Sequence, residues 1–271
     1  MELVSSECVI LHNQDYGERD RIVTFLAQEG GLLKGIVKGS RKLTGRGVGS
    51  FEPLMCGVIH YVPNSGEGLV MIRKCDPHPP YLITQINSGG YDAYLFGSYL
   101  AELTRLCGIP PEEAEDFHAL LSGSLEALST VPTPRHLPLI RLRFELRLLG
   151  LLGYAPDWRQ CAGCEGALPA PPGEWGDTHG FDLGLGGVRC PACLGGRPPV
   201  LPLAPRALAF LAQWLDGTAP PQWPSQTQLE DLLGAVTAHL THHLERRPRS
   251  LDMLPGLASL AGARKPPSGQ E

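Results

Sequence analysis

Four cysteines carry the clearest chemical signal in the chain. Cys161 and Cys164 stand three positions apart in "DWRQCAGCEG", and Cys190 and Cys193 repeat that spacing, giving C-x2-C-x25-C-x2-C. A C-x-x-C turn presents two thiolates to one ion, and two such turns complete the four-sulfur tetrahedron of a closed zinc site. Redox chemistry uses similar pairs, but it needs one of them at a helix start beside a thioredoxin-like unit, and both pairs here lie in Pro/Gly-rich loop sequence. Catalytic zinc needs an open coordination position, or H-x-E followed by P-C-x-x-C. Arg189 precedes Cys190, and four sulfurs leave no place for water. One structural Zn2+ is therefore the expected occupant, able to contribute about 10–16 kcal/mol of apparent binding energy to a module with little apolar content. The other cysteines, Cys8, Cys56, Cys75 and Cys107, are isolated in apolar surroundings and read as small core residues.

A second chemistry is the binding of anions. Lys34, Lys38, Arg41, Lys42 and Arg46 fall within thirteen residues that contain no acid, a local charge of +5 in a chain whose net charge is −5. They lie at the end of a predicted strand and in the loop after it, where barrels of the oligonucleotide-binding type place cations that track a phosphate backbone. Gly39, Gly45, Gly47 and Gly49 would let that loop conform to such a chain. The alternative is a solvated loop with no ligand. Arg73 and Lys74 on the last predicted strand extend the patch, and Tyr61 or Phe51 is a candidate stacking surface unless both belong to the core.

Arg143 and Arg147, four residues apart on an otherwise apolar helix, are a third candidate site. Their guanidinium forks suit an acidic peptide with a hydrophobic end. The competing expectation is that Glu112, Glu113, Glu115 or Asp116 neutralises them, while Arg141 pairs with Glu145. His239, His242 and His243 near the end of the last helix are expected to be solvated and, with Arg246 and Arg247, to complement the helix dipole. No P-loop, G-x-S-x-G or H-E-x-x-H pattern occurs, so nothing commits the chain to catalysis.

The elements that must position these groups follow from periodicity. From Cys8 to Asp76, "CVILH", "RIVTFLA", "LLKGIVKG", "GVIHYV" and "GLVMIRKC" read as five short strands separated by turn signals, predicting a small barrel with an SH3-like barrel as the rival. After Pro77–Pro80 the period becomes helical. Tyr91, Leu95, Tyr99 and Leu103 share a face; Pro110 and Pro111 end that helix and open an acid-capped second one striped by Phe117, Leu120, Leu121, Leu125 and Leu128. The third, "LPLIRLRFELRLLGLLG", is apolar nearly all round and reads as the centre of a bundle. Residues 155–200 lose the helical period, with a short strand expected through Phe181, Leu183 and Leu185. "ALAFLAQWL" and residues 227–247 restore it, the last helix opening on a Thr227-x-x-Glu230 capping box.

The expected architecture is α+β and multidomain. It has a barrel over 1–79, a helical domain over 80–154 and 201–250, an inserted four-cysteine zinc-ribbon-like module over 155–200, and a flexible tail over 251–271. Composition agrees: 42% apolar content suffices for more than one core, and 33 glycines with 26 prolines imply many turns. The opening "MELVSSECVI" carries acids where a secretion signal carries positive charge, and no run reaches the roughly 18 apolar residues of a membrane span. A cytoplasmic protein without a membrane partner is expected, and a reducing compartment favours metal binding over disulfides.

In this order, "DYGERDRIV", "GSRK", "FEPL" and "RFELRLLGLLGY" resemble the RecO family of bacterial recombination mediators. The resemblance covers roughly Glu2 to Leu251. It implies an N-terminal OB-fold barrel, a helical C-terminal domain and, in some members, a cysteine zinc site. It also implies a non-enzymatic DNA repair and recombination mediator of the RecF pathway, nucleoid-associated, that binds single- and double-stranded DNA and anneals complementary strands. RecR would be its partner in loading RecA. By resemblance Lys34, Lys38, Arg41 and Lys42 fall where DNA would be contacted. Arg143 and Arg147 fall where the acidic C-terminal tail of single-stranded-DNA-binding protein would be received. The rival function is a zinc-ribbon protein-interaction adaptor without DNA binding; a nuclease or deaminase is disfavoured by the closed four-sulfur shell.

Overall fold

Alternating apolar residues build five strands at the start of the chain: β1 (Val4–Tyr16), β2 (Asp20–Ala27), β3 (Gly31–Val37), β4 (Cys56–Val62) and β5 (Val70–Pro77). The structure, a computed structural model, describes residues 2–40, 51–64, 68–78, 90–130, 133–168, 178–195, 201–217 and 223–256. The strands close into a barrel in the order β1-β2-β3-β5-β4, with β3 and β5 parallel and the other pairs antiparallel. This is an OB-like barrel. The 13-residue β1 closes it by pairing on both edges: Cys8 stands opposite Ala27 on one side and Gly57 on the other. A register shift between Ile10 and His12 bends β1 around the barrel.

Every second side chain points inward. Ile10, Phe25, Phe51, Ile59, Tyr61 and Ile72 fill the barrel, with Phe25 edge-on to Tyr61 at 5.7 Å between centroids. Each such burial is worth about 1.5–3 kcal/mol. Gly57 marks the tightest approach, because a Cβ there would lie 2.4 Å from the Asp76 carbonyl oxygen on β5. Cys8 and Cys75 are buried in this core, as expected of small apolar residues.

Helices α1 (Tyr91–Leu106) and α2 (Ala114–Thr130) pack on each other and against β1, and α2 also meets β2 and β3. Thr24 and Leu26, on the outer side of β2, are consequently buried too. Leu95, Tyr99 and Leu103 form the buried stripe of α1, whereas Tyr91 is exposed; Phe117, Leu121, Leu125 and Leu128 form that of α2. A 3-10 turn at Pro111–Glu113 separates the two helices, since proline lacks the N–H that a continuing helix would need. Glu102 on α1 accepts hydrogen bonds from Arg249 N, Ser250 N and Ser250 Oγ at 3.2, 2.9 and 2.6 Å, which ties the 3-10 turn Arg249–Met253 to α1.

The chain divides into two compact units, one running to Phe144 and including Pro248–Pro255, the other from Glu145 to Arg247. Helix α3 (Leu137–Leu151) begins in the first and ends in the second. The second unit holds a three-stranded antiparallel sheet, β7-β6-β8, from β6 (His179–Asp182), β7 (Gly187–Arg189) and β8 (Leu201–Leu203). It also holds the single turn α4 (Pro191–Leu194), α5 (Pro205–Leu215) and α6 (Gln226–Leu244). Glu145 on α3 is fully buried and accepts a 2.8 Å hydrogen bond from Thr237 on α6.

Three local expectations are corrected. The strand predicted through Leu183 and Leu185 stops at Asp182, whose Oδ1 accepts the Gly184 and Leu185 N–H groups at 3.0 and 3.1 Å and turns the chain back. The capping box of α6 is Ser225 with Gln228, two residues before the Thr227 and Glu230 pair. His239 is not solvated: it is 1% exposed, with Nε2 3.0 Å from the Tyr154 carbonyl and its ring against Phe181. His242 is exposed as expected.

Candidate metal centre and nucleic-acid interface

The first cysteine pair sits on a tight hairpin. Gln160 bridges to Ala167, Cys161 N–H donates to the Gly166 carbonyl at 2.8 Å, and Glu165 N–H donates back to the Cys161 carbonyl at 2.8 Å. The second pair straddles the start of α4, with Cys190 extended at its N-cap and Cys193 within the turn: Pro191 opens it, and Leu194 N–H donates to the Cys190 carbonyl at 3.1 Å. One backbone contact joins the two segments and one side chain fastens the second to β6. Ala162 N–H donates to the Val188 carbonyl at 2.8 Å, and Arg189 reaches both Asp182, at 3.3 Å, and the Cys193 carbonyl. Gly163 supplies the remaining clearance, because a Cβ there would stand 3.1 Å from Cys193 Sγ.

The result brings all four sulfurs, of Cys161, Cys164, Cys190 and Cys193, within 4.8 Å of one another, with Cys164 and Cys190 at 3.8 Å. A tetrahedron of thiolates about 2.3 Å from a zinc ion has edges of about 3.8 Å, so the group fits one metal ion. Burial pushes the Cys161 thiol up. The N–H groups of Cys190 and Gly163, 3.3 and 3.4 Å from its sulfur, outweigh this with help from Cys164 and bring it down to about 6. Hydrogen bonds with Cys190, Cys164 and Cys161 hold Cys193 up at about 12. One sulfur is thus readily ionised while another resists it, because four thiolates this close repel unless a cation sits among them. Cys107 contrasts: burial alone raises it to about 12, as expected of an inert core thiol.

The cationic residues distribute unevenly. Lys34 and Lys38 are exposed and two positions either side of Ile36, so they share the outer face of β3 and its continuation. Arg73 is exposed on the outer face of β5, whose parallel register sets Val37 opposite Ile72. Neither lysine nor Arg73 has an acidic partner among the described residues. Lys74 differs: its ammonium lies 2.5 Å from Asp76, which also takes His60 at 3.0 Å. These two hydrogen bonds, that of Lys74 foremost, hold the Asp76 carboxyl below its usual range. Arg41, Lys42 and Arg46 lie outside the described residues. The base of their loop is anchored by Gly39 N–H on Asp20 Oδ1 at 2.8 Å.

Tyr61 and Phe51, the candidate stacking residues, are 5% and 4% exposed and belong to the barrel core. The exposed aromatic of the barrel is Tyr16, at 53%. Its signal in the sequence is an aromatic placed next to a turn glycine among charges, in "QDYGERD", outside any apolar alternation. On α3, Arg143 and Arg147 are both exposed, flanked by the buried Leu142, Phe144, Leu146 and Leu148. No carboxylate pairs with either among the described residues, so the expected neutralisation by the acids at the start of α2 does not occur there. Arg141 stands over the Tyr99 ring at 4.9 Å. No described helix is long and apolar enough to cross a membrane.

Comparison with known proteins covers nearly the whole chain. Residues 1–81 match the family described as Recombination protein O N terminal, and residues 89–252 match Recombination protein O C terminal. The chain is 32% identical over 269 residues to a DNA repair protein RecO of Anaeromyxobacter sp. (strain K), covering 97% of this chain and all of that one. It is 32% identical over 261 residues to that of Anaeromyxobacter dehalogenans (strain 2CP-1), covering 94% and 97% of the two chains.

Proposed function

The chain belongs to the RecO family of DNA repair proteins, and from that premise we propose that it is a non-enzymatic mediator that binds single- and double-stranded DNA through its barrel. Lys34, Lys38 and Arg73 make the described part of the interface, continued by Arg41, Lys42 and Arg46 in the adjoining loop. Lys74 joins only by giving up Asp76. The observation that carries this reading is three exposed cations, on β3, just past its end and on the adjacent β5, without acidic partners among the described residues.

Such a face attracts phosphates of any sequence and releases their counterions. Annealing follows from the same chemistry, because two strands repel through their phosphates and a shared cationic surface lowers that repulsion. In this reading the mediator acts with RecR to load RecA, and Arg143 and Arg147 hold the acidic tail of single-stranded-DNA-binding protein. The four cysteines hold one structural Zn2+. The functional division is the barrel at 1–79, the helical domain at 80–154 and 201–250, and the module at 155–200.

Replacing Lys34, Lys38 and Arg73 together by alanine tests the reading through equilibrium binding and strand annealing. All three are exposed, so the barrel should fold. The expected result is weaker binding of both single strands and duplex with slower annealing; unchanged binding would remove the interface and leave the protein-only adaptor as the better account.

A further inference from the structure

We infer that Tyr16, at the tip of the β1–β2 hairpin, is the residue that makes the interface prefer single strands, by stacking on an unpaired base; this rests on the DNA-binding reading above. Four aromatic residues, Tyr16, Phe25, Phe51 and Tyr61, occur before residue 79. Three are at most 5% exposed and fill the barrel, whereas Tyr16 is 53% exposed. The β1–β2 ladder continues until Tyr16 stands opposite Asp20, and the turn closes through Gly17 at φ 62°. The ring is therefore mounted on paired backbone at the end of a hairpin, and among the described residues neither ring nor hydroxyl has a partner.

The hairpin tip lies beside the cationic face. Asp20, opposite Tyr16, accepts the Gly39 N–H at 2.8 Å, and Arg21 stands opposite Val37. Lys38 thus leaves β3 next to the base of the turn, and Arg19 is exposed within the turn itself. Arg21 takes no part, being paired with Asp15 at 3.3 Å and Glu52 at 3.1 Å. Exposed Asp15 and Glu18 flank the ring along the chain, so phosphates fall to Lys38 and the cations beyond it on β3 and β5 while the ring takes a base face. That division of labour grips a single strand. In a duplex those base faces are already stacked on one another, so the ring adds nothing there. The cations alone would not distinguish the two forms in this way.

The test compares wild type, Tyr16→Ala, Tyr16→Phe and the Lys34/Lys38/Arg73 triple alanine variant. Each is measured by fluorescence anisotropy against an oligothymidylate, an abasic strand of equal length and a duplex. For Tyr16→Ala the ratio of single-strand to duplex affinity falls about tenfold, within the range measured for base–aromatic stacking. Tyr16→Phe keeps the ratio, and the abasic strand does not separate wild type from Tyr16→Ala. An unchanged ratio in Tyr16→Ala overturns the inference, as does an equal loss on the abasic strand. If the triple variant weakens all three probes while Tyr16→Ala changes none, only the role of Tyr16 fails. If the triple variant changes none, the interface itself fails.

Discussion

At the sulfur of Cys161, burial and hydrogen bonding act in opposite directions, and the N–H groups of Cys190 and Gly163 win. The residue comes prepared to be a thiolate ligand. Cys161→Ser removes that ligand from the most buried corner of the site, and metal content should fall from about one ion per chain to near zero. Elemental analysis showing undiminished metal in the variant would contradict a four-sulfur centre. His239 carries a different prediction. Burial leads, with His243 and His242 adding to it, in lowering its pKa below 6.5 despite the Tyr154 carbonyl. Nε2 donates to that carbonyl and Nδ1 is buried without a partner among the described residues, so the folded state holds the neutral ring. Unfolding lets the ring bind a proton at 6.5, so its contribution to stability is complete above that pH and declines as pH falls below it. Melting the protein at about pH 7.5 and about pH 5.5, on either side of that value, should show lower stability in acid. The difference should shrink in His239→Gln, which can still donate to Tyr154. An unaltered pH dependence in the variant would place the linkage elsewhere, for example at His179, which burial also lowers.

Among the elements, the barrel strands and the cysteine pairs are legible from the chain alone, because each rests on short-range pattern. In β4 the buried Gly57, Ile59 and Tyr61 alternate with half-buried neighbours, β2 reads as a continuous apolar strand buried on both faces, and the two C-x-x-C turns differ from the rest in composition. Other features depend on partners distant in sequence. Ser225 and Thr227 each begin an S/T-x-x-E/Q pattern, and only the tertiary position of the entering chain selects the first. Lys74 and Asp76 are two positions apart on β5 and pair locally, whereas His60, which also reaches Asp76, is brought there only by the β4–β5 pairing. His239 reads as solvated because the module that covers it, through Phe181, lies more than fifty residues earlier. Barrel closure yields a prediction at this scale. Gly57→Ala would put a methyl against the Asp76 carbonyl, and overpacking of this kind costs about 1–3 kcal/mol. Chemical denaturation should show that loss, and a variant as stable as wild type would mean β5 can move away freely.

Over the whole molecule, charge is placed against its net sign. The chain is acidic overall, at −5, yet Lys34, Lys38 and Arg73 stand without acidic partners among the described residues on one outer face of the barrel, while Arg21 and Lys74 are consumed by acids. Composition alone gives no reason to expect a polyanion; the local run from Lys34 to Arg46 does, and strand register then selects which further cations can join it. The family supplies a DNA repair role, and the exposed cations are the proposed physical means. The most direct measurement is the salt dependence of single-strand binding, in wild type and in the Lys34/Lys38/Arg73 triple alanine variant. If each cation neutralises one phosphate, the slope of log K against log salt becomes shallower by about 2 in the variant. Equal slopes in the two proteins would show that these side chains do not touch phosphates, and would contradict the account.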